Sequence, residues 1–200
     1  MDPDNEQISE RATADAGAVE AGVRRLHWGC GRDVVPGWIN SDAADWPGLD
    51  HIADILEDGL PLDAESIDYA VSIHALPEIP YSRLTQALGE LRRVLKTGGT
   101  LRLVLPDIEK GIEAYQKGDR DYFFVPDDAG KSIGAKFIIQ TIWFGHTLTP
   151  FNHDFIEEQL ARAGFREVNR CAYRQTASRF PEIVSLDNRE SESLYVEAVK

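Results

Sequence analysis

Apolar and polar positions along the chain follow two periods, one typical of strands and one typical of helices. Short apolar runs at residues 24–28, 38–41, 51–55, 67–73 and 100–105 predict β-strands. Between the last two runs, apolar side chains recur every three or four residues, which predicts an amphipathic helix. This stripe consists of Leu84, Ala87, Leu88, Leu91, Val94 and Leu95.

The ends of this helix carry recognisable signals. Ser82 is a suitable N-cap, and Gly98 and Gly99 are expected to stop the helix. A strand, a helix, a glycine turn and a second strand form a right-handed crossover, which makes the two strands parallel. The pattern therefore predicts an α/β domain built on a parallel sheet.

Beyond the predicted strand at 100–105 the pattern is less regular. Residues 108–115 have helical spacing, and residues 118–130 resemble a loop rich in aspartate and aromatic residues. Pro150 precedes a helix expected over 153–163, with Gly164 closing it. Residues 165–173 and 193–199 alternate apolar and polar side chains, which predicts a terminal antiparallel pair of strands.

Length and composition indicate one domain. We expect residues 1–16, which are polar and acidic, to form a flexible tail and residues 17–200 to form a single domain. The net charge of −13 disfavours nucleic acids and anionic membranes as partners. The apolar run at 137–144 is too short to span a membrane. Two cysteines without metal-binding spacing predict a cytoplasmic protein without a disulfide framework.

A glycine turn after the first predicted strand is the sharpest local signal. Gly29 and Gly31 end the run from Leu26, and glycines there let backbone N–H groups approach a ligand. The dinucleotide fingerprint is incomplete, because Val34 stands where the third glycine belongs. Asp42 follows the next strand at the same edge, where a carboxylate binds ribose hydroxyls. The alternative is that Asp42 is a turn residue or a helix cap.

Four motifs, in this order, resemble the class I S-adenosylmethionine-dependent methyltransferases. They are Leu-His-Trp-Gly-Cys-Gly at 26–31, Gly-Trp-Ile-Asn-Ser-Asp at 37–42, residues 60–70 and residues 91–103. The chain is most similar to a small bacterial group with a Gly-Cys-Gly turn and a Gly-Trp-x-Asn-x-Asp second strand. The resemblance implies a Rossmann-like methyltransferase fold: a mostly parallel seven-stranded sheet, an antiparallel C-terminal strand and helices on both faces.

The resemblance also implies S-adenosyl-L-methionine as cofactor and S-adenosyl-L-homocysteine as product. By this likeness Asp42 binds the ribose, Asp54 accepts a hydrogen bond from the adenine amino group and Ile55 packs on the adenine ring. The residues implied to bind the cofactor are Trp28, Gly29, Cys30, Gly31, Asp42, Asp54, Ile55, Ile73, His74 and Ala75. One departure is that only residues 32–36 separate the glycine turn from Gly37, where the family usually has a helix.

Two residues at the carboxyl edge of the predicted sheet are candidate catalytic groups. His74 follows the strand at 67–73 and titrates near neutral pH, so it is a candidate general base. The alternative is that it only hydrogen-bonds the cofactor or its own loop. Asp107 either orients the methyl acceptor or caps the following helix.

We expect residues 108–150 to form an insertion that covers the substrate. Its aromatic side chains suit an apolar or planar small molecule, although a local core or a dimer contact would use the same residues. His146 and His153, seven residues apart, would be metal ligands only with carboxylates nearby, and no metal is expected. The candidate substrate-binding residues are Tyr122, Phe124, Trp143 and His146.

These observations predict a methyltransferase that acts on an oxygen or nitrogen of a small molecule. Nucleic-acid and membrane partners are not expected, and a homodimer is left open. The first alternative is an inactive relative that binds the cofactor or stabilises a partner. The second is a nucleotide-sugar or nicotinamide enzyme on the same sheet, which the missing third glycine disfavours.

Overall fold

A computed structural model describes residues 22–200, and the tail predicted for residues 1–16 lies outside them. A seven-stranded sheet forms the centre, with strand order β3-β2-β1-β4-β5-β7-β6. The strands are β1 (Arg25–Trp28), β2 (Ile39–Asp42), β3 (His51–Ile52), β4 (Ile67–Ile73), β5 (Leu95–Pro106), β6 (Arg166–Cys171) and β7 (Ser193–Val199).

The sheet is mostly parallel. β1 pairs in parallel with β2 and β4, and β4 pairs in parallel with β5, as the crossover predicted. β7 runs antiparallel between β5 and β6. The predicted Rossmann-like arrangement is therefore confirmed, including the antiparallel strand at the C-terminus.

Four α-helices accompany the sheet: α1 (Leu84–Val94), α2 (Ile108–Lys117), α3 (Ile133–Ile142) and α4 (His153–Arg162). Of these, α3 was not predicted as a helix, and the apolar run at 137–144, which overlaps its C-terminal half, was noted only for its length. None of the helices in residues 22–200 is long and apolar enough to cross a membrane.

The predicted ends of α1 were wrong. Ser82 lies inside a short 3-10 turn, and Arg83 occupies the N-cap without a side-chain cap. The chain turns extended at Leu95, so β5 already runs through Gly98 and Gly99. Gly98 has a φ of 76°, and a Cβ on Gly99 would lie 2.8 Å from the Asp68 carbonyl oxygen. These glycines thus let β5 bend closely past its neighbours, because only glycine fits both requirements.

Each face of the sheet has its own apolar layer. α1 and α4 pack on one face, against Leu101 and Leu103 of β5. On the other face Trp38, Tyr69 and Val71 pack against Ile183. Ile183 belongs to a 3-10 helix (Pro181–Val184) in the long connection between β6 and β7. Among the residues that the structure describes, this connection therefore covers the second face of the sheet.

A buried ion cluster fastens the connection to the sheet. Arg102 of β5 is fully buried, and its Nε and Nη2 donate to the two carboxylate oxygens of Asp187 at 2.7 and 2.5 Å. Its Nη1 donates to Glu197 Oε1 of β7 at 2.6 Å and to the Gln175 carbonyl oxygen at 3.1 Å. Glu197 also accepts the backbone N–H groups of Ala177 and Ser178. One guanidinium thus joins two strands and both ends of the connection.

We expect Arg102→Met to lower the free energy of unfolding by about 3–5 kcal/mol, because it leaves two buried carboxylates without their cation. Urea unfolding followed by circular dichroism measures this change. Arg162→Met is the matched control, since Arg162 meets Glu158 at 3.6 Å with both side chains more than half exposed. We expect the control to cost less than about 1 kcal/mol. Equal losses in the two variants would contradict the anchoring role of Arg102.

Candidate active site

A cavity of about 500 Å³ opens at the carboxyl edge of the sheet. The ends of β1, β2, β4 and β5 border it, as expected for open α/β sheets, which bind ligands there. The segment from α2 to Phe151 and the end of the β6–β7 connection complete its wall. The volume lies in the range of small-molecule and cofactor sites.

The glycine turn forms the floor of the cavity. Gly29 has a φ of 66°, and a Cβ there would lie 2.1 Å from the Cβ of Ala75. Gly31 has a φ of 56°, and a Cβ there would meet no atom within 4 Å. Gly29 is therefore required by packing, whereas Gly31 leaves open space beside the backbone. No helix follows this turn before β2, in line with the short spacing noted in the sequence.

Asp42 lies beside this turn at the end of β2. Its Oδ2 accepts the N–H of Gly31 at 2.8 Å, and its Oδ1 accepts the N–H of Ala44 at 2.9 Å. An ionised carboxylate has about four acceptor positions, so two remain for a ligand. Asp42 borders the cavity, so these free positions are available to a diol.

Two further features near Asp42 shape the cavity. The Arg32 guanidinium lies 4.4 Å from the centre of the Trp46 ring, and both side chains line the cavity. Sequence reasoning missed this cation–π pair, because a loop pattern does not show which side chains meet. Burial and the Asp42 carboxylate raise the pKa of the Cys30 thiol to about 11, so this thiol, which lines the cavity, keeps its proton.

His74 is paired across the sheet edge. It has a φ of 56°, and its Nε2 lies 2.9 Å from Ser193 Oγ at the start of β7. Burial, with a smaller effect of the Arg189 cation, lowers the pKa of His74 to about 3. The imidazole is therefore neutral at physiological pH. Its predicted role as a base stays a prediction, and one ring nitrogen is already engaged.

Asp107 caps α2. Its Oδ1 accepts the N–H of Glu109 at 3.0 Å, and its Oδ2 lies 3.4 Å from the exposed Arg170 guanidinium. Burial raises the pKa of this carboxyl. The capping alternative considered from the sequence is therefore seen, while contact with an acceptor stays a prediction.

The segment 108–150 supplies much of the cavity wall. Tyr122, Trp143 and His146, three of the predicted substrate-binding residues, line the cavity. Phe124 does not line it and is more than half exposed. Burial, together with Glu192 and Asp107, raises the pKa of Tyr122 to about 12, so its hydroxyl keeps its proton.

Three predicted cofactor-binding residues do not border the cavity. Trp28 and Ile55 are buried in the apolar core beneath the sheet edge. The Asp54 carboxylate accepts the N–H of Leu56 at 2.8 Å within its own turn. Their assignments, which came from the resemblance alone, stay predictions.

Two charged residues of the cavity were missed from the sequence. Arg189 and Glu192 reach it from the end of the β6–β7 connection, and Arg189 Nη1 lies 3.3 Å from Glu192 Oε1. Arg189 has a φ of 57°, a conformation that favours glycine. The unusual length of this connection was the available signal, because long ordered loops in compact domains are commonly functional.

The comparisons with known proteins agree with this geometry. Residues 26–103, from β1 through the glycine turn to the middle of β5, match the family described as methyltransferase domain. The match covers 78 of the 200 residues, so this part of the chain is similar to the methyltransferase domain family. No curated protein matches the chain.

Solved methyltransferase structures share the fold. A SAM-dependent methyltransferase from Thermotoga maritima matches with a TM-score of 0.55 and 19% identity, over 92% of this chain and 84% of its own. A SAM-dependent methyltransferase from Archaeoglobus fulgidus matches with a TM-score of 0.57 and 14% identity, over 90% of this chain and 87% of its own. A third match comes from a Haloferax volcanii complex of a methyltransferase activator and a putative methyltransferase. Its TM-score is 0.52 and its identity 19%, over 91% of this chain and 83% of the matched one. Identities this low show the fold alone.

The cavity fits the cofactor that the methyltransferase family implies. The open space beside Gly31 admits a ligand against the backbone, and the free acceptor positions of Asp42 match a ribose diol. The aromatic Trp46 lies near these groups and offers an apolar surface to a planar base. Residues 73–75 border the same space from the β4 side.

We expect Gly29→Ala to lower the free energy of unfolding by about 2–4 kcal/mol, from left-handed strain and the clash with Ala75. Gly31→Ala adds the strain without the clash, so we expect a loss of about 1–2 kcal/mol. Urea denaturation of both variants measures the difference. Equal losses would show that Ala75 moves away without cost.

The His74 pKa predicts a pH-dependent stability. The unfolded imidazole binds a proton below about pH 6.5, while the folded one stays neutral to about pH 3. This contribution to folding is therefore complete above pH 6.5 and is lost as the pH falls towards 3. His74→Gln removes this loss, so its stability relative to the native chain should rise by about 2 kcal/mol from pH 7.5 to pH 5. A difference independent of pH, measured by urea unfolding, would contradict burial of a neutral His74.

Proposed function

We propose that the chain is an S-adenosylmethionine-dependent methyltransferase that methylates an oxygen or nitrogen of a small acceptor with a planar, apolar body. The observation that carries the proposal is the Asp42 carboxylate, held by the Gly31 N–H at the open glycine turn. The family match over residues 26–103 supports the same cofactor.

The residues divide the cavity into two ends. At the first end, Gly31 and Asp42 bind the ribose, and residues 73–75 lie along the methionine part. When bound, the cofactor supplies an electrophilic methyl group on a sulfonium. At the second end, Tyr122, Phe137 and Phe151 provide aromatic walls. This arrangement holds two partners face to face, and such positioning accounts for much of the acceleration in group transfer.

Two groups of the cavity can hydrogen-bond the acceptor. His74 is neutral, so in the tautomer that leaves Nδ1 without a proton this nitrogen can accept a hydrogen bond, while a pKa of about 3 makes the imidazole a weak base. Tyr122 keeps its proton and can donate a hydrogen bond to an acceptor oxygen. Acceptors that carry a phenol or an amine on a planar ring therefore suit the site.

We expect calorimetric titration to show micromolar binding of S-adenosylmethionine and S-adenosylhomocysteine. Asp42→Asn should raise both dissociation constants at least about tenfold, because hydrogen bonds to a charged acceptor are lost. Asp63→Asn is the control: it removes the same charge at an exposed position that does not line the cavity.

Asp54→Asn tests the adenine contact in the same titration. An unchanged dissociation constant would contradict that assignment while leaving the role of Asp42 intact. Absence of binding by the folded native chain would overturn the proposed function. Binding without transfer to any phenol or amine tested would favour an inactive cofactor-binding subunit.

A further inference from the structure

The outer face of α3 and the turn after it form an unusual apolar surface. Six of the ten exposed large apolar side chains in residues 22–200 fall between residues 124 and 148. We call these six the apolar face: Phe124, Ile138, Ile142, Trp143, Phe144 and Leu148. So many exposed apolar side chains within one short segment are unusual for a monomeric protein and mark a contact with another molecule.

The helix itself explains why these side chains lie outside. Phe137, Gln140 and Thr141 line the cavity, so this side of α3 faces inward. Ile138 and Ile142, one turn apart, lie on the outer side, where no element in residues 22–200 covers them. In most surface helices the outward side is polar. The outward apolar residues of α3 therefore do not belong to the core of this chain, and they are available to contact another molecule.

Two aromatic residues of this face have a strained backbone conformation. Trp143 and Phe144 have φ values of 39° and 55°, and their rings meet edge to face at 5.6 Å. Bulky residues rarely adopt such conformations, and strained positions of this kind concentrate at binding and active sites.

Charge separates this segment from the rest of the chain. Between Asp128 and Asp154 the sequence contains no carboxylate side chain, whereas the whole chain has 34 acidic and 21 basic residues. Two copies of a chain with net charge −13 repel each other across most of their surfaces. Five of the six residues of the apolar face, all except Phe124, lie in this carboxylate-free segment, which adds no negative charge to that repulsion.

The composition of the N-terminal residues does not match the apolar face. Residues 1–21 contain six acidic side chains, and Ile8 and Val19 are their only branched aliphatic residues. A second copy, in contrast, brings the same six apolar side chains. Paired about a two-fold axis, each apolar face then covers the other. Depletion of charge and enrichment in aromatic residues are also features of interface cores.

We propose that the chain forms a symmetric homodimer through the apolar face of α3 and the turn at 143–148. Trp143 and Thr147 of this segment also line the cavity, so the interface adjoins the wall of the acceptor end. The proposal goes beyond the methyltransferase function and does not depend on which acceptor is used.

Sedimentation velocity from low to high micromolar concentration tests the proposal. We expect the native chain to sediment as a dimer and Ile138→Glu to raise the dimer dissociation constant at least roughly a hundredfold, since symmetry buries two charges at once. Ile52→Glu is the matched control, because Ile52 on β3 is exposed to the same 56% as Ile138 but lies outside the apolar face. The control should remain dimeric.

Cofactor titration separates this proposal from the proposed function. Ile138 does not line the cavity, so Ile138→Glu should bind S-adenosylhomocysteine like the native chain, which also shows that the variant is folded. A monomeric native chain at all concentrations, or a dimer that survives Ile138→Glu, would overturn the proposal. If the monomer instead co-sediments with phosphatidylcholine vesicles and Ile138→Glu abolishes this, the apolar face contacts lipid.

Discussion

The buried guanidinium of Arg102 is the constraint on which the second face of the sheet depends. A cation in the core requires both Asp187 and Glu197 to be present, because a buried charge without partners is far more costly than an exposed one. These carboxylates in turn bind backbone groups of residues 174, 177 and 178. The β6–β7 connection is thereby held on the sheet, over the apolar layer around Tyr69 and Ile183.

This anchor also has consequences at the cavity. Asp187 lies two residues before Arg189, so the same ion pair that covers the sheet fixes where the connection reaches the acceptor end. Lys110 adds a second attachment, since its Nζ donates to the carbonyl oxygens of Glu190 and Ser193. At the acceptor end, hydrogen bonds from charged side chains therefore join α2, β5 and the β6–β7 connection. The cofactor end is instead shaped by the close approach of Gly29 and Ala75.

The sequence was informative where a feature depends on neighbouring residues. β4 and β7 were predicted with their observed bounds, because strand periodicity is local. Glycine spacing is local as well, and the predicted turn and Asp42 both border the cavity, while their binding role stays a prediction. The pairing of His74 with Ser193 and the entry of Arg189 depend on residues far apart in the chain, which no local pattern reveals. α3 was missed because its exposed face is apolar, so the usual contrast between a buried and a polar side is absent.

The last strand has a consequence for how the protein is made. Ser193 is 119 residues from its partner His74, and Glu197 is 95 residues from Arg102. During translation, β1 to β5 leave the ribosome well before β7 does, so the interior of the sheet then contains a positive charge that has not yet met Glu197. Until β7 has emerged, the nascent chain therefore cannot complete either its core or its cavity, and the final step of folding must follow the synthesis of β7.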